Sequence, residues 1–216
     1  MSLECTTCAV RHTAACAVLN DEERARLLRA GRSRKLRRGE TLFAAGDENT
    51  TCATLLRGAL KVVAIDEDGT ERILALVHPA GFIGELFAPF AHHDVVALTD
   101  SELCLFQNSE MRVAVQQHPK LAQALLRRTQ EDLLQSRELL ALSGRRSASG
   151  KVAGLLMALA EAASESSCHL SRQFDLPLTR GEIAGMLGLT IETVSRAITK
   201  FEREGTIRRM GARGIE

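Results

Sequence analysis

The stretch from Leu178 to Glu204 constrains the fold of this chain more tightly than any other. Thr179 is a good N-cap, and Glu182, three residues on, completes a capping box. Ile183, Ala184 and Leu187 supply a short apolar face, and Gly188 ends the helix as a residue free to take positive φ. Thr190 caps a second helix whose inner face reads Val194, Ala197, Ile198 and Phe201. Two short helices about a glycine turn predict a helix-turn-helix. Glu192, Thr193, Ser195, Arg196 and Lys200 fall outside the inner apolar stripe of the second helix. Those residue types suit base reading: Arg donates twice to guanine, Glu accepts from cytosine, and Ser does either. They cluster toward the helix N-terminus, the part that enters a major groove. Further on, Arg208 and Arg209 are available for backbone phosphates, and Thr179 is a further DNA-binding candidate. A plain solvated helix face is the alternative, and the capped helix, glycine turn and capped helix in series favour DNA reading.

Gross charge does not advertise nucleic acid, because 28 Lys and Arg against 27 Asp and Glu leave +1. From Arg180 to the end there are seven basic and five acidic side chains, so phosphate attraction has to come from local placement. Trp and Tyr are absent, which argues against single-strand binding by aromatic stacking. The start lacks a basic region followed by an apolar one, and the longest apolar run, Val152 to Ala160, is too short for a bilayer. A cytoplasmic chain with reduced thiols is expected.

Six cysteines are present, and Cys5, Cys8 and Cys16 fall within twelve residues. A Cys-x2-Cys step lets two thiolates face one centre, and soft thiolates select zinc, copper(I) or an iron–sulfur cluster. Zinc could take His12 as a fourth ligand, whereas a cubane cluster would need a fourth cysteine from elsewhere. A disordered arm with unrelated thiols is the bland alternative.

Asn20 to Glu23 then starts a short helix, and the run from Arg32 to Arg38, basic at five of seven positions, reads as a solvated strand edge. Between Lys35 and Gln107 the pattern turns to short apolar runs separated by glycine turns: Thr41–Phe43, Ala53–Leu56, Leu60–Ile65, Arg72–Val77, Asp94–Leu98 and Glu102–Phe106. That spacing predicts an antiparallel barrel or roll.

Here the chain resembles the family of the cyclic-AMP receptor protein and the fumarate-and-nitrate-reduction regulator. The residues carrying the resemblance are Gly39-Glu-Thr-Leu42, Gly46, Leu56-Arg-Gly58, Asp68-Gly69, Gly81-Phe-Ile-Gly-Glu85 and Leu189 to Arg196. It implies an α+β chain with an N-terminal antiparallel β-roll sensor domain of the cyclic-nucleotide-binding kind, a long dimerisation helix and a C-terminal winged helix-turn-helix. Cyclic-nucleotide members follow Gly-Glu-Leu with an arginine for the phosphate. Gly84-Glu-Leu86 is present, but His92 to Ala97 contains no arginine, and a buried phosphate without a cation is costly, so no cyclic nucleotide is expected. The oxygen-sensing branch holds a [4Fe–4S] cluster on three N-terminal cysteines and one from the roll. By that resemblance the ligands are Cys5, Cys8, Cys16 and Cys104, while Cys52 and Cys168 match no ligand. Seven residues separate Cys8 from Cys16, where the best-known member has five. A haem sensor using one of the six histidines is the other branch.

Pro119 to Leu142 predicts a helix of roughly 36 Å with Leu121, Leu125, Leu126, Thr129, Leu133, Ser136 and Leu140 on one stripe, read as a dimer seam; packing against the chain's own roll is the alternative. Pairing with its twin would set two readers about one DNA turn apart. Glu131, Asp132 and Glu138 beside the seam would repel their counterparts and keep the dimer marginal. The expected organisation is thus a cysteine arm (1–18), a roll (19–118), the dimerisation helix (119–142) and the winged helix-turn-helix (143–216). After a hinge at Ser143 to Gly150 come a helix from Lys151 to Ala163, two short strands between Cys168 and Leu178, and a wing around Gly205 to Gly211. The resemblance implies double-stranded DNA with TTGAT half-sites, a second copy and RNA polymerase as partners, and no membrane. Ile191 stands where the cyclic-AMP branch has arginine, in keeping with a different operator. No acid–base or nucleophile constellation is visible, so an enzyme is not expected.

Overall fold

The computed structural model describes residues 5–145, 147–163, 171, 173–211 and 213–216. Two 3-10 turns, Cys5–Thr7 and Ala15–Val18, precede α1 (Asp21–Arg29). Eight strands follow: β1 (Gly31–Leu36), β2 (Thr41–Phe43), β3 (Thr51–Arg57), β4 (Leu60–Ile65), β5 (Glu71–Val77), β6 (Phe82–Ile83), β7 (Asp94–Ala97) and β8 (Ser101–Gln107). Then come α2 (Asn108–Gln117), α3 (Pro119–Ser143), α4 (Ala148–Ala162), β9 (Phe174–Asp175), α5 (Arg180–Leu187), α6 (Ile191–Arg203), β10 (Arg209–Met210) and β11 (Gly214–Ile215). Of the two strands expected between Cys168 and Leu178, β9 is described; Cys168 itself lies outside the described residues. The chain forms two compact units, Met1–Ala64 with Ala75–Leu134, and Ile65–Leu74 with Gln135–Glu216. That division falls inside α3 rather than at its ends.

Two four-stranded antiparallel sheets, ordered β1-β8-β3-β6 and β2-β7-β4-β5, build the expected roll. The basic run of residues 32–38 supplies β1, an edge strand with Arg32, Arg34 and Lys35 exposed. Charged side chains on an edge discourage pairing with another chain. Strand β8 is buried on both faces, and its alternation sorts the core. Leu103 and Leu105 enter the roll interior with Leu55, Leu60 and Val95. Cys104 and Phe106 turn the other way, onto Leu19 from the arm and Leu27, Met111, Leu121 and Leu125 from the flanking helices. Gly58 takes φ +94°, and a Cβ there would stand 2.7 Å from the Asp100 carbonyl and 2.9 Å from the Ser101 Cα. Only glycine fits this turn, which explains the glycine of Leu56-Arg-Gly58.

Helix α3 corrects one expectation. Leu121 (1% exposed) and Leu125 (9%) are buried in their own sensor core, so they do not belong to a surface seam. The exposed leucines are Leu126, Leu133, Leu134 and Leu140. Leu126, Leu133 and Leu140 recur every seven residues, and Thr129 and Ser136 fall between them at the other seam position. The seam charges also differ from expectation. Glu131 pairs with Arg127 (3.5 Å) and Arg128 (3.1 Å) of its own helix. Burial raises the Asp132 carboxyl above the usual carboxylate range, against the pull of Arg128. Glu131 is therefore not a bare charge waiting to repel its counterpart.

In the second unit, both caps form as read. Thr179 accepts from the Glu182 amide (3.2 Å), and the Glu182 carboxylate accepts from the Thr179 amide (2.7 Å). Gly188 adopts the left-handed conformation (φ +61°, ψ +46°), letting the Leu189 amide reach the Ala184 carbonyl (2.9 Å). Gly188→Ala meets no steric obstacle, so its cost is the left-handed strain alone, about 1–2 kcal/mol. Urea denaturation of the variant is expected to show that loss; an unchanged midpoint would mean the turn relaxes.

Candidate functional site

The N-terminal arm is folded through local bonds and small apolar anchors. The Thr13 and Ala14 amides donate to the Val10 carbonyl (3.2 and 2.9 Å), and Val10 and Ala14 are buried with Ala80 from the turn before β6. The seven residues between Cys8 and Cys16 are thus a packed turn rather than slack chain. Three guanidinium groups hold its backbone. Arg11 donates to the Cys5 carbonyl (2.8 Å) and the Asp21 carboxylate (2.7 Å). Arg24, 8% exposed, donates to the carbonyls of Cys16 (3.4 Å), Ala17 (3.3 Å) and Leu19 (2.8 Å) and to Asp21 (3.2 Å). Arg128, on α3, donates to the Thr13 carbonyl (3.0 Å).

This packing brings Cys5, Cys8 and Cys16 to the wall of one cavity of about 460 Å³, and Cys104 lines it from β8. Cys104 sits opposite Ser33 of β1 and Thr54 of β3, so all three face the cavity from the sheet. Leu121 and Leu125 of α3 close another side, and Arg24 is part of the wall. Cys5, Cys8, Cys16 and Cys104 are free thiols, half-buried to buried. Burial raises the Cys5 thiol, as does neighbouring Cys8, while Arg24 and Arg11 pull it down. Burial likewise raises Cys16, with Cys5 and Cys8 adding to the rise and Arg24 opposing it. Cys104 is pushed up strongly by burial and then by the other thiols. Among the described residues no three Cys, His, Asp or Glu side chains stand close enough to grip one metal ion. His12 is exposed and does not line the cavity. Cys52 is fully buried and outside the lining; burial alone pushes its thiol up to about 12.

The second candidate site is the outer face of α6. Val194, Ala197 and Ile198 are buried, which fixes the roll of the helix. Glu192, Arg196 and Lys200 are exposed, and Thr193 and Ser195 are half-buried. Thr193 has its hydroxyl against Thr190 (3.0 Å), so its first task is the cap. The Glu192 carboxyl is held below the usual carboxylate range by its own backbone amide, then by the Thr190 hydroxyl, with Arg196 contributing. Glu192 therefore stays an acceptor. Lys200 pairs loosely with Glu204 (3.8 Å).

The wing departs from expectation. β10, β11 and β9 form a three-stranded sheet, but Arg208 pairs with Glu216 (2.6 Å) and Arg209 with Glu202 (2.5 Å). Both arginines are more than half exposed, so these pairs contribute little and can yield to a phosphate. One cation escaped the sequence reading. Arg180, beside the Thr179 cap, has a buried Nη1 with no hydrogen-bond partner.

Two parts of the chain match known domain models. Residues 33–118 match the model of the cyclic nucleotide-binding domain, and residues 150–216 match that of the Crp-like helix-turn-helix domain. A probable transcriptional activator of Rhizobium leguminosarum bv. viciae is 36% identical over 204 residues, covering 94% of this chain and 85% of that one. The transcriptional activator protein FnrL of Cereibacter sphaeroides is 35% identical over 214 residues, covering 98% and 86%. The solved structure of FixK2 from Bradyrhizobium japonicum superposes with a TM-score of 0.76 at 25% identity, covering 86% of this chain and 91% of that one.

Proposed function

Because the chain belongs to the Crp/Fnr family of transcription regulators, which are not enzymes, we propose that it is an oxygen-responsive member of it. In this reading it binds a [4Fe–4S] cluster and, as a homodimer, a palindromic TTGAT-type operator when oxygen is absent. The observation that carries the reading is the meeting of Cys5, Cys8, Cys16 and Cys104 on one cavity. Four thiols are the donor set such a cluster takes. The cavity of about 460 Å³ that they share leaves room for a group of several atoms. Cys5, Cys8, Cys16 and Cys104 would hold it, and when bound it supplies an oxygen-labile cross-link between the arm and β8. Against a cyclic nucleotide stands the lack of an arginine between His92 and Ala97, and Glu85 is engaged with His92 Nδ1.

The remaining steps fall to the chain's own residues. Arg128 ties Thr13 of the arm to α3. Leu121 and Leu125 pack α3 onto the cavity, while Leu126, Leu133 and Leu140 offer a second copy an apolar seam. Pairing would bring two α6 helices to a palindrome, where Glu192, Ser195 and Arg196 read base edges and Arg180, Arg208 and Lys200 neutralise phosphates. Location in the cytoplasm and contact with RNA polymerase belong to the same reading; no described helix is long and apolar enough to cross a membrane.

The direct test is anaerobic purification with iron and sulfide counts and an absorption spectrum, followed by operator binding before and after air. Iron-free protein, or binding indifferent to air, would overturn the proposal. Arg196→Ala is expected to cost about 1–3 kcal/mol in operator affinity and to relax preference at one base pair. Equal losses on operator and scrambled DNA would contradict a base-reading role.

A further inference from the structure

We propose that Arg11, Asp21 and Arg24 form a charged clamp that positions two of the cavity's thiols and sets the electrostatic balance of whatever group they hold. The inference rests on the iron–sulfur reading above and concerns residues outside the thiol set. Each arginine donates to the backbone carbonyl of a thiol-bearing residue, Arg11 to Cys5 (2.8 Å) and Arg24 to Cys16 (3.4 Å). Both also reach the same oxygen of Asp21, at 2.7 and 3.2 Å. One carboxylate thus locks the two guanidiniums together, and with them the first and third thiols of the arm.

The charges do not cancel, since two cations share one anion. The carboxylate is also the wetter partner: the Asp21 side chain is 82% exposed, against 22% for Arg11 and 9% for Arg24. Water screens the negative member and leaves the positive ones in a low-dielectric setting. Burying a guanidinium is costly, and carbonyl hydrogen bonds alone seldom justify it. Here Arg24 is itself part of the cavity wall. Four thiolates make the contents of that cavity anionic, so a fixed cation on the wall offsets what burial penalises. Net charge and hydrogen bonding around a cluster are among the factors that set its reduction potential. Arg24 is therefore a positioning residue with an electrostatic role, and Asp21 moderates it.

The test uses the full chain, purified without oxygen, as wild type, Arg24→Met, Arg24→Lys and Asp21→Asn. Iron content and the midpoint potential of the bound group are read for each, with circular dichroism as the check on folding. Arg24→Met is expected to weaken iron retention roughly ten- to hundredfold, the range for partners that orient metal ligands, and to move the potential negative. Asp21→Asn removes the opposing charge and is expected to move the potential positive, by less because Asp21 is solvated. Arg24→Lys keeps the charge while losing the forked hydrogen bonds, so its potential stays near that of the wild type even where iron is lost faster. Should Arg24→Met lose its iron altogether, Asp21→Asn and Arg24→Lys carry the comparison. Loaded wild type with Asp21→Asn unmoved or shifted negative overturns this inference alone. Wild type without iron overturns it together with the reading on which it rests.

Discussion

Cys104→Ser is expected to strip the anaerobic protein of most of its iron and abolish its discrimination for operator DNA. The hydroxyl is a hard, weakly acidic donor where a soft thiolate is wanted. Changes in groups that merely orient metal ligands cost roughly 10–100-fold in affinity, and losing a ligand should exceed that. The position is also where the cavity meets the roll. Cys104 is 7% exposed and the only one of the four candidate ligands on a strand, so no neighbour along the arm can stand in for it. A buried hydroxyl carries its own penalty of about 1–3 kcal/mol, so the experiment needs a matched control. Cys52→Ser supplies it: Cys52 is 0% exposed, adjoins the same cluster on β3 and does not line the cavity. Both variants are expected to lose comparable stability in urea, and only Cys104→Ser to lose iron and operator binding. Iron and operator affinity left intact in Cys104→Ser would end the cluster assignment.

Leu133→Glu is expected to produce a monomer whose operator affinity falls about 10²–10⁴-fold, the loss that follows when two linked contacts become one. Leu133 is 48% exposed in the single chain and sits midway between Leu126 and Leu140 in a seven-residue repeat. Across a two-fold axis a glutamate there would face its own copy, an unpaired charge against an unpaired charge in an apolar seam. Because the residue is not buried in its own domain, folding should be unaffected. Leu125→Glu, by contrast, would damage the sensor core. Sedimentation velocity under nitrogen reads the first effect and fluorescence anisotropy on an operator the second. A dimeric Leu133→Glu would place the interface elsewhere.

The helix-turn-helix was legible because its signals are short-range: a capping box closes over three residues, and a left-handed glycine announces itself. The strands were legible for a similar reason, with glycine turns at the right intervals. What escaped depended on contacts across the chain. The pattern 121, 125, 129, 133, 136, 140 mixes two neighbouring faces of α3, and only the packing of Leu121 and Leu125 against Cys104, Phe106 and Met111 separates them. Helix α2 was missed because it buries little that is apolar; Asn108 and Met111 are its buried residues. Arg24 drew no notice, since nothing local shows that the carbonyls of Cys16, Ala17 and Leu19 turn back to meet it. The wing arginines seemed free because their partners, Glu202 on α6 and Glu216 beyond β11, meet them only once the chain turns back on itself.

Leu125 and Leu126 are consecutive, yet one lines the cavity and the other faces outward. Successive residues on a helix stand about 100° apart, so the two flanks of α3 share a single rotational degree of freedom. A rod cannot roll one shoulder while keeping the other still. In the proposed dimer, how much bulk fills the space beside Leu125 would help set the angle at which Leu126 is presented, and a side chain that never touches the second molecule would still govern how that molecule is met.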